Sequence, residues 1–221
     1  MLVPDDDGAA NNFGFSVALH GDVAVVGANE ADPDETGAAY LFTRGGDGAW
    51  TRTQKLTAGE SADKLGHSVA VGNGVVAVGA PRASGRHDQT GVVYLFEQDD
   101  DGVWVQRQAL SDESDEGGFT GRFGGALALD GDALVVGARE SSFNQDLHSG
   151  SAYFFSPDGA GSWTVAGRID GIERDVELGH GVALAGDLAL LGGYRRVGDF
   201  SARGSAYVVI RREDGSWERT A

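Results

Sequence analysis

The chain has 221 residues, of which 34 are acidic and 17 basic, so its formal net charge is −17. A surface this negative repels phosphate backbones and anionic membranes, and no apolar run approaches the roughly 18 residues of a membrane span, so we expect neither nucleic-acid binding nor membrane insertion. The absence of cysteine excludes disulfides, thiolate metal sites and thiol nucleophiles.

The first predicted element is a hairpin. Residues 16–19 (SVAL) and 23–28 (VAVVGA) are uncharged runs joined by the short His20-Gly21-Asp22 connector, which leaves no room for a helix. A third strand is predicted at residues 37–42 (GAAYLF) and a fourth at 50–56 (WTRTQKL). The first two strands are expected to be buried on both faces, whereas the fourth alternates polar and apolar residues and is expected to be half exposed.

This four-stranded unit, with strands A to D, occurs four times. Each unit opens with an aromatic residue or leucine before a glycine, and Gly-Ala or Gly-Gly follows thirteen residues after that glycine. The openings are Phe13-Gly14, Leu65-Gly66, Phe123-Gly124 and Leu178-Gly179. Each unit also carries a Gly-x-x-Tyr and a tryptophan ten residues after the tyrosine: Tyr40 and Trp50, Tyr94 and Trp104, Tyr153 and Trp163, Tyr207 and Trp217.

A period of about 50 residues is typical of propeller blades. The sequence therefore predicts an all-β fold, a β-propeller with four four-stranded antiparallel blades. The blades are expected at approximately 13–56, 65–110, 123–169 and 178–221, within a single domain spanning residues 1–221.

The two ends of the chain bear on how the propeller closes. Leu56, Leu110 and Ile169 each lie six residues after their tryptophan, and Met1-Leu2 would fill this place in the last blade if the ends meet. Residues 1–12 are thus a candidate to complete that blade in a closed four-bladed ring; the alternative is that the blades are part of a larger propeller. Four blades left open would expose two apolar faces, so we expect closure, a homodimer or further repeats.

The repeat resembles a known family. Its Phe/Leu-Gly opening, the Gly79-Ala80-Pro81 after the second strand of the second unit, and the following Gly-x-x-Tyr-x-Phe are similar to FG-GAP repeats, the blades of integrin α-subunit propellers, in their short bacterial form. This resemblance covers essentially the whole chain and implies an extracellular or cell-surface adhesion module, and we expect any export signal to lie outside this sequence. Two features depart from the integrin pattern: the A–B turns are too short to wrap calcium, and four blades are fewer than the family's usual number.

The long loops between strands B and C share one face of the predicted blades with the D–A connectors. In a chain this acidic, their basic and aromatic residues are the candidate binding residues, because they could bind carboxylates or stack on sugars. The candidates are Arg82, Arg86, His87, Arg139, Phe143, Tyr194, Arg195, Arg196, Phe200 and Arg203. The alternative is that acidic connectors at 111–116 and 172–177 neutralise these arginines.

Catalytic and metal motifs are weak. The chain has no Gly-x-Ser-x-Gly or His-Glu-x-x-His motif and no phosphate-binding loop, so we expect no enzyme and no cofactor. His67 and His180 occupy a repeat position after Leu-Gly and are expected to be structural. Asp32, Asp34 and Thr36 form the single calcium candidate, but the twelfth position of that loop lacks the glutamate that closes such a site.

The sequence thus predicts a non-catalytic extracellular or cell-surface module that presents variable loops to a protein or glycan. The alternatives are a carbohydrate-binding lectin and a structural spacer within a larger surface protein. Only Lys55 and Lys64 are lysines among the basic residues, and this composition, with abundant aspartate, resembles that of proteins from high-salt organisms.

Overall fold

The computed structural model describes residues 1–4, 12–31, 36–59, 63–84, 89–112, 121–141, 149–172, 176–194 and 204–220. These residues form sixteen β-strands, and within them there is no helix that could cross a membrane. The strands make four antiparallel sheets, each pairing its strands in chain order. The predicted all-β architecture of four four-stranded blades is therefore confirmed.

Each blade consists of four strands that are consecutive in the chain. Blade 1 contains β1 (Phe13–His20), β2 (Val23–Ala28), β3 (Ala38–Arg44) and β4 (Trp50–Leu56). Blade 2 contains β5 (Ser68–Gly72), β6 (Val75–Ala80), β7 (Val92–Gln98) and β8 (Trp104–Ser111). Blade 3 contains β9 (Phe123–Asp130), β10 (Ala133–Ala138), β11 (Ser151–Pro157) and β12 (Trp163–Asp170). Blade 4 contains β13 (Leu178–Ala185), β14 (Leu188–Gly193), β15 (Ser205–Arg211) and β16 (Trp217–Arg219).

Short turns join strands A and B, as the sequence predicts, but each has two residues rather than three, because the first residue of each predicted connector is paired in strand A. In blade 2, Gly72 pairs with Val75, and the intervening Asn73 and Gly74 have φ angles of 49° and 76°. Positive φ at both central residues is the geometry of the hairpin turn that matches the strand twist. These short turns leave the B–C loops of the opposite side as the variable surface.

The blades follow one another with their A strands at the centre. β1 packs on β5, β5 on β9 and β9 on β13, and a buried apolar cluster lies between each pair of neighbouring blades. Between blades 1 and 2, for example, Val25 and Leu41 share a cluster with Val69 and Val71. Most of the hydrophobic core therefore lies between sheets, so each blade depends on its neighbours.

The repeated glycines allow neighbouring blades to approach closely. A β-carbon on Gly79 would lie 2.2 Å from the carbonyl oxygen of Gly124 in the next blade. That oxygen also accepts a hydrogen bond of 2.6 Å from the Ser68 hydroxyl. The same glycine contact recurs between Gly27 and Gly66 and between Gly137 and Gly179. The first and second glycine landmarks of the sequence are thus the two sides of one contact between blades.

Glutamines in strand D link two of the blade junctions at the rim. The Gln54 side chain donates to the Trp104 carbonyl at 2.6 Å and accepts from the Trp104 amide at 2.9 Å. Gln108 makes the same two bonds to Trp163, both at 2.8 Å. These pairs satisfy the N–H and C=O groups of the tryptophan that begins the next D strand. Strand D is the outer strand of its sheet, so no further strand could supply these hydrogen bonds.

The prediction that strands A and B are buried on both faces is wrong at the two ends of the row. Val17 and Leu19 in β1 are 71% and 67% exposed, and Leu188 and Leu190 in β14 are 55% and 49% exposed. The reason is tertiary: among the described strands, blade 4 makes no extensive contact with blade 1, so no neighbouring blade lies against these residues at either end of the row.

Candidate functional site

A depression of about 160 Å³ lies where blades 1, 2 and 3 meet, on the side of the B–C loops. Its walls come from the residues that follow the B strands of blades 1 and 2 and from the residues that precede the A strands of blades 2 and 3. They are Asn29, Glu30, Lys64, His67, Pro81, Arg82 and Arg122. The depression is therefore built largely from equivalent repeat positions of neighbouring blades.

Lys64 and Arg122 reach this place because they hold the same repeat position, directly before the Leu-Gly or Phe-Gly landmark. Both have a positive φ, 64° and 50°. Their carbonyl oxygens accept hydrogen bonds from the amides three residues later, at 3.1 Å from His67 and 3.0 Å from Gly125. A tight turn thus precedes the A strand in each case and places a cation at the blade junction.

The ion pairs differ between the first two junctions. Between blades 1 and 2, the Lys64 ammonium lies 3.1 Å from Glu30 Oε1. Arg82 occupies in blade 2 the position of Glu30, so the next junction would bring Arg122 to a second arginine instead of a carboxylate. Arg122 pairs within its own blade, with its Nε 2.6 Å from Glu140 Oε1.

Positive charge is therefore in excess at this site. Arg139 also lies beside Glu140, but its Nε is 3.9 Å from the carboxylate and has no hydrogen-bond partner within the described structure. Arg82 is exposed and makes no hydrogen bond or ion pair in the part of the chain that the structure describes. Within the described residues, Lys64, Arg82, Arg122 and Arg139 thus lie together with two carboxylates, Glu30 and Glu140, an arrangement able to bind an anion.

His67 lies among these cations, in ring contact with Phe15 at 4.9 Å. Burial, followed by the positive charges of the surrounding side chains, lowers the pKa of His67 from 6.5 to about 4. The charges are those of Arg139, Arg122, Arg82 and Lys64. The neutral ring leaves the site's positive charge to the lysine and the arginines at neutral pH.

We expect His67 to stay neutral in the folded protein until the pH falls to about 4. The unfolded chain takes up this proton near pH 6.5, so His67 should reduce the free energy of unfolding progressively between pH 6.5 and 4. The pKa of His67 is measured by following the chemical shift of its ring proton by NMR as the pH is changed. Replacing Arg139 with glutamine should raise the pKa of His67, because a nearby cation is removed. Titration of His67 at its ordinary value would contradict the expectation.

The structure brings together Arg82 and Arg139 of the predicted binding residues. Tyr194 lies in blade 4, 58% exposed, with its ring 5.6 Å from that of His180. The other blades have Asn29, Pro81 and Arg139 at the repeat position of Tyr194, so this position does not form equivalent aromatic pockets. The remaining candidates lie outside the described residues: Arg86, His87, Phe143, Arg195, Arg196, Phe200 and Arg203.

The calcium candidate falls largely outside the described residues, since Asp32 and Asp34 are not among them. The Thr36 carbonyl accepts a hydrogen bond of 2.9 Å from the Leu65 amide and so links blades 1 and 2. Across the described ranges, no three histidine, aspartate or glutamate side chains are grouped as metal ligands.

Sequence reasoning missed Lys64 and Arg122. It assigned binding to the B–C loops and treated the D–A connectors as acidic. The available signal was the repeat position itself, because both cations directly precede a landmark that defines a blade junction.

Comparison with known proteins supports the fold and the family. A family model for the FG-GAP repeat matches residues 1–42, 50–96 and 104–155. The crystal structure of a protein from Lactobacillus plantarum is similar with a TM-score of 0.60 at 12% sequence identity, over 94% of this chain and 55% of that one. This chain thus spans about half the length of that protein, and no curated protein matches it in sequence. On its matched repeats, the chain belongs to the FG-GAP repeat family.

Proposed function

We propose that this propeller module is a non-catalytic recognition domain that acts outside the cell or at its surface. Through the depression between blades 1, 2 and 3, it binds a protein or glycan that carries carboxylates. Membership of the FG-GAP repeat family supports a module built from repeated blades. The ligand class rests on the charges of the site.

The observation that carries this proposal is a local reversal of charge. The protein has a net charge of −17, yet Lys64, Arg82 and Arg122 line this depression and Arg139 lies close by, while the described ion pairs at this site involve two carboxylates, Glu30 and Glu140. In such an acidic protein, a local excess of cations attracts an acidic ligand to this depression. The rest of the surface, which is negatively charged, repels anions.

The geometry favours a carboxylate held by arginine. Arg122 is oriented by its bond to Glu140, and Lys64 is held by Glu30, so both are ordered without a ligand. Arg82 is exposed beside them and presents a planar guanidinium, which can donate two parallel hydrogen bonds to a carboxylate. Arg82 is therefore expected to contribute most to ligand affinity.

Titration calorimetry with two acidic probes tests the proposal: a hexaglutamate peptide and a trimer of galacturonic acid. We expect one of them to bind, with affinity that falls as salt is added. Arg82→Ala should weaken that binding by roughly tenfold, the loss typical of a hydrogen bond to a charged group. Stronger binding of the peptide would indicate a protein ligand, and stronger binding of the galacturonic acid trimer would indicate a glycan ligand.

The matched control is Arg44→Ala. Arg44 pairs with Asp22 at 2.6 Å on the opposite side of blade 1, where the A–B and C–D turns lie. This variant should bind as the unmodified protein does. Absence of binding to both probes, or an equal loss in the Arg44 variant, would overturn the proposal.

A further inference from the structure

The two end blades of the row each expose one apolar face. The blade-1 face consists of Val17 and Leu19, which are 71% and 67% exposed. The blade-4 face consists of Leu188, Leu190 and Val208, which are 55%, 49% and 38% exposed and line an apolar depression of about 270 Å³. Apolar surface of this kind in an otherwise acidic protein marks an interaction site.

The two faces are the two halves of a junction that the chain builds internally. At the junction of blades 1 and 2, Val69 and Val71 of β5 are buried in one cluster with Val25 and Leu41 of blade 1. By repeat position, Val17 and Leu19 correspond to Val69 and Val71. Leu190 and Val208 correspond likewise to Val25 and Leu41. The blade-1 face therefore has the chemistry that packs on a surface like the blade-4 face.

The glycine contact shows the same two unpartnered halves. Gly66, Gly124 and Gly179 each approach a glycine of the preceding blade. Gly14, which holds the same position in blade 1, has open space around it, and Gly192, which corresponds to Gly137, meets only Gly181 of its own sheet. One side of this contact is thus free at each end of the row.

The N-terminal residues cover part of the outer side of blade 1. Leu2 packs on the cluster that contains Tyr40 and Phe42, just as Leu56, at the end of a D strand, packs on the corresponding residues of blade 2. Arg52 donates a hydrogen bond to the Pro4 carbonyl. The rim of this face is therefore covered by a segment placed like the end of a D strand, and Val17 and Leu19 nearer the centre are left uncovered.

We propose that the blade-4 face of one copy of this chain packs on the blade-1 face of a second copy, in a head-to-tail contact that repeats the internal blade junction. The chain carries both complementary halves, and within one copy they are not in contact, so a second copy supplies what each face lacks. Such a contact is heterologous, and two copies can use both pairs of faces if they close on each other.

Association of matched variants tests this contact. The unmodified chain should sediment at twice its 22.9 kDa mass or more, and more so in about 2 M than in about 0.15 M KCl, because salt screens repulsion between two acidic copies. Val17→Glu and Leu190→Glu, each measured alone, should raise the dissociation constant by about tenfold or more, because each places a charge in every junction. An equimolar mixture of the two should associate again, through the one junction that is intact on both sides.

Three further measurements complete the test. Val103→Glu adds the same charge at an exposed apolar residue in a C–D turn, and it should leave association unchanged. The variants alter exposed positions, so their circular dichroism should match that of the unmodified protein.

Since the chain has no cysteine, a Val17→Cys and Leu190→Cys double variant treated with a short bismaleimide should give a band of two linked chains.

A monomeric unmodified chain would overturn the proposal, as would an internally linked single chain, which would mean that the ends close on each other. Undiminished association of either glutamate variant alone would also overturn it, because that would indicate contact between like faces.

Discussion

Replacing Phe123 with alanine should lower the free energy of unfolding by about 4 kcal/mol, within the range observed for large-to-small changes at buried aromatic residues. Phe123 is fully buried between blades 2 and 3, with its ring centroid 5.3 Å from that of Tyr153 and 6.0 Å from that of Phe155 in edge-to-face geometry. The truncation leaves a cavity at a junction where most of the core lies between sheets. Urea unfolding followed by tryptophan fluorescence measures the change.

Phe123→Leu is the control for this experiment, because the corresponding residues Leu65 and Leu178 are fully buried leucines. It should cost less than about 1.5 kcal/mol, as volume-conserving apolar exchanges do. Equal losses in the alanine and leucine variants would contradict a packing role and would point to the aromatic ring itself.

Replacing Gly79 with alanine should have an effect of similar size for the opposite reason. The new methyl group would lie 2.2 Å from the Gly124 carbonyl oxygen, an atom of the neighbouring backbone that cannot rotate away. Blades 2 and 3 would have to separate, so we expect a loss of about 3 kcal/mol in the free energy of unfolding, the upper part of the usual range for overpacking. The same urea titration gives the result.

Gly46→Ala provides the comparison. No atom lies within 4 Å of the position where its β-carbon would be built, and it occupies a C–D turn at the surface. It should change the free energy of unfolding by less than about 0.5 kcal/mol, as exposed substitutions usually do. If both alanine variants were equally stable, the close approach of the blades at Gly79 would be refuted.

These two residues show what can and what cannot be predicted from the sequence. Spacing alone marks Phe123 and Gly79 as repeat landmarks, but spacing cannot reveal what a landmark contacts. The structure shows that Phe123 fills a junction and that Gly79 faces the glycine of the next landmark, 45 residues further along the chain. The period predicts the blades, and the packing between blades explains the period.

The candidate site is only partly predictable. Arg82 and Arg139 stand out as cations in the B–C loops of an acidic chain. Lys64 and Arg122 do not, because they lie in D–A connectors that also contain acidic residues, and their meeting depends on how three blades pack. The pairing of Arg122 with Glu140 is likewise a tertiary feature, since Arg82 stands where blade 1 has the carboxylate of Glu30.

The sequence by itself determined the class of fold, the four units, the order of strands and the shortness of the A–B turns, because these follow from local periodicity and from glycine at fixed positions. Only the tertiary structure decided which cations surround one depression and which apolar faces remain exposed at β1 and β14. The physical reason is that charge and burial depend on neighbours distant in sequence. Identical residues such as Val17 and Val69 are exposed or buried according to whether another blade lies against them.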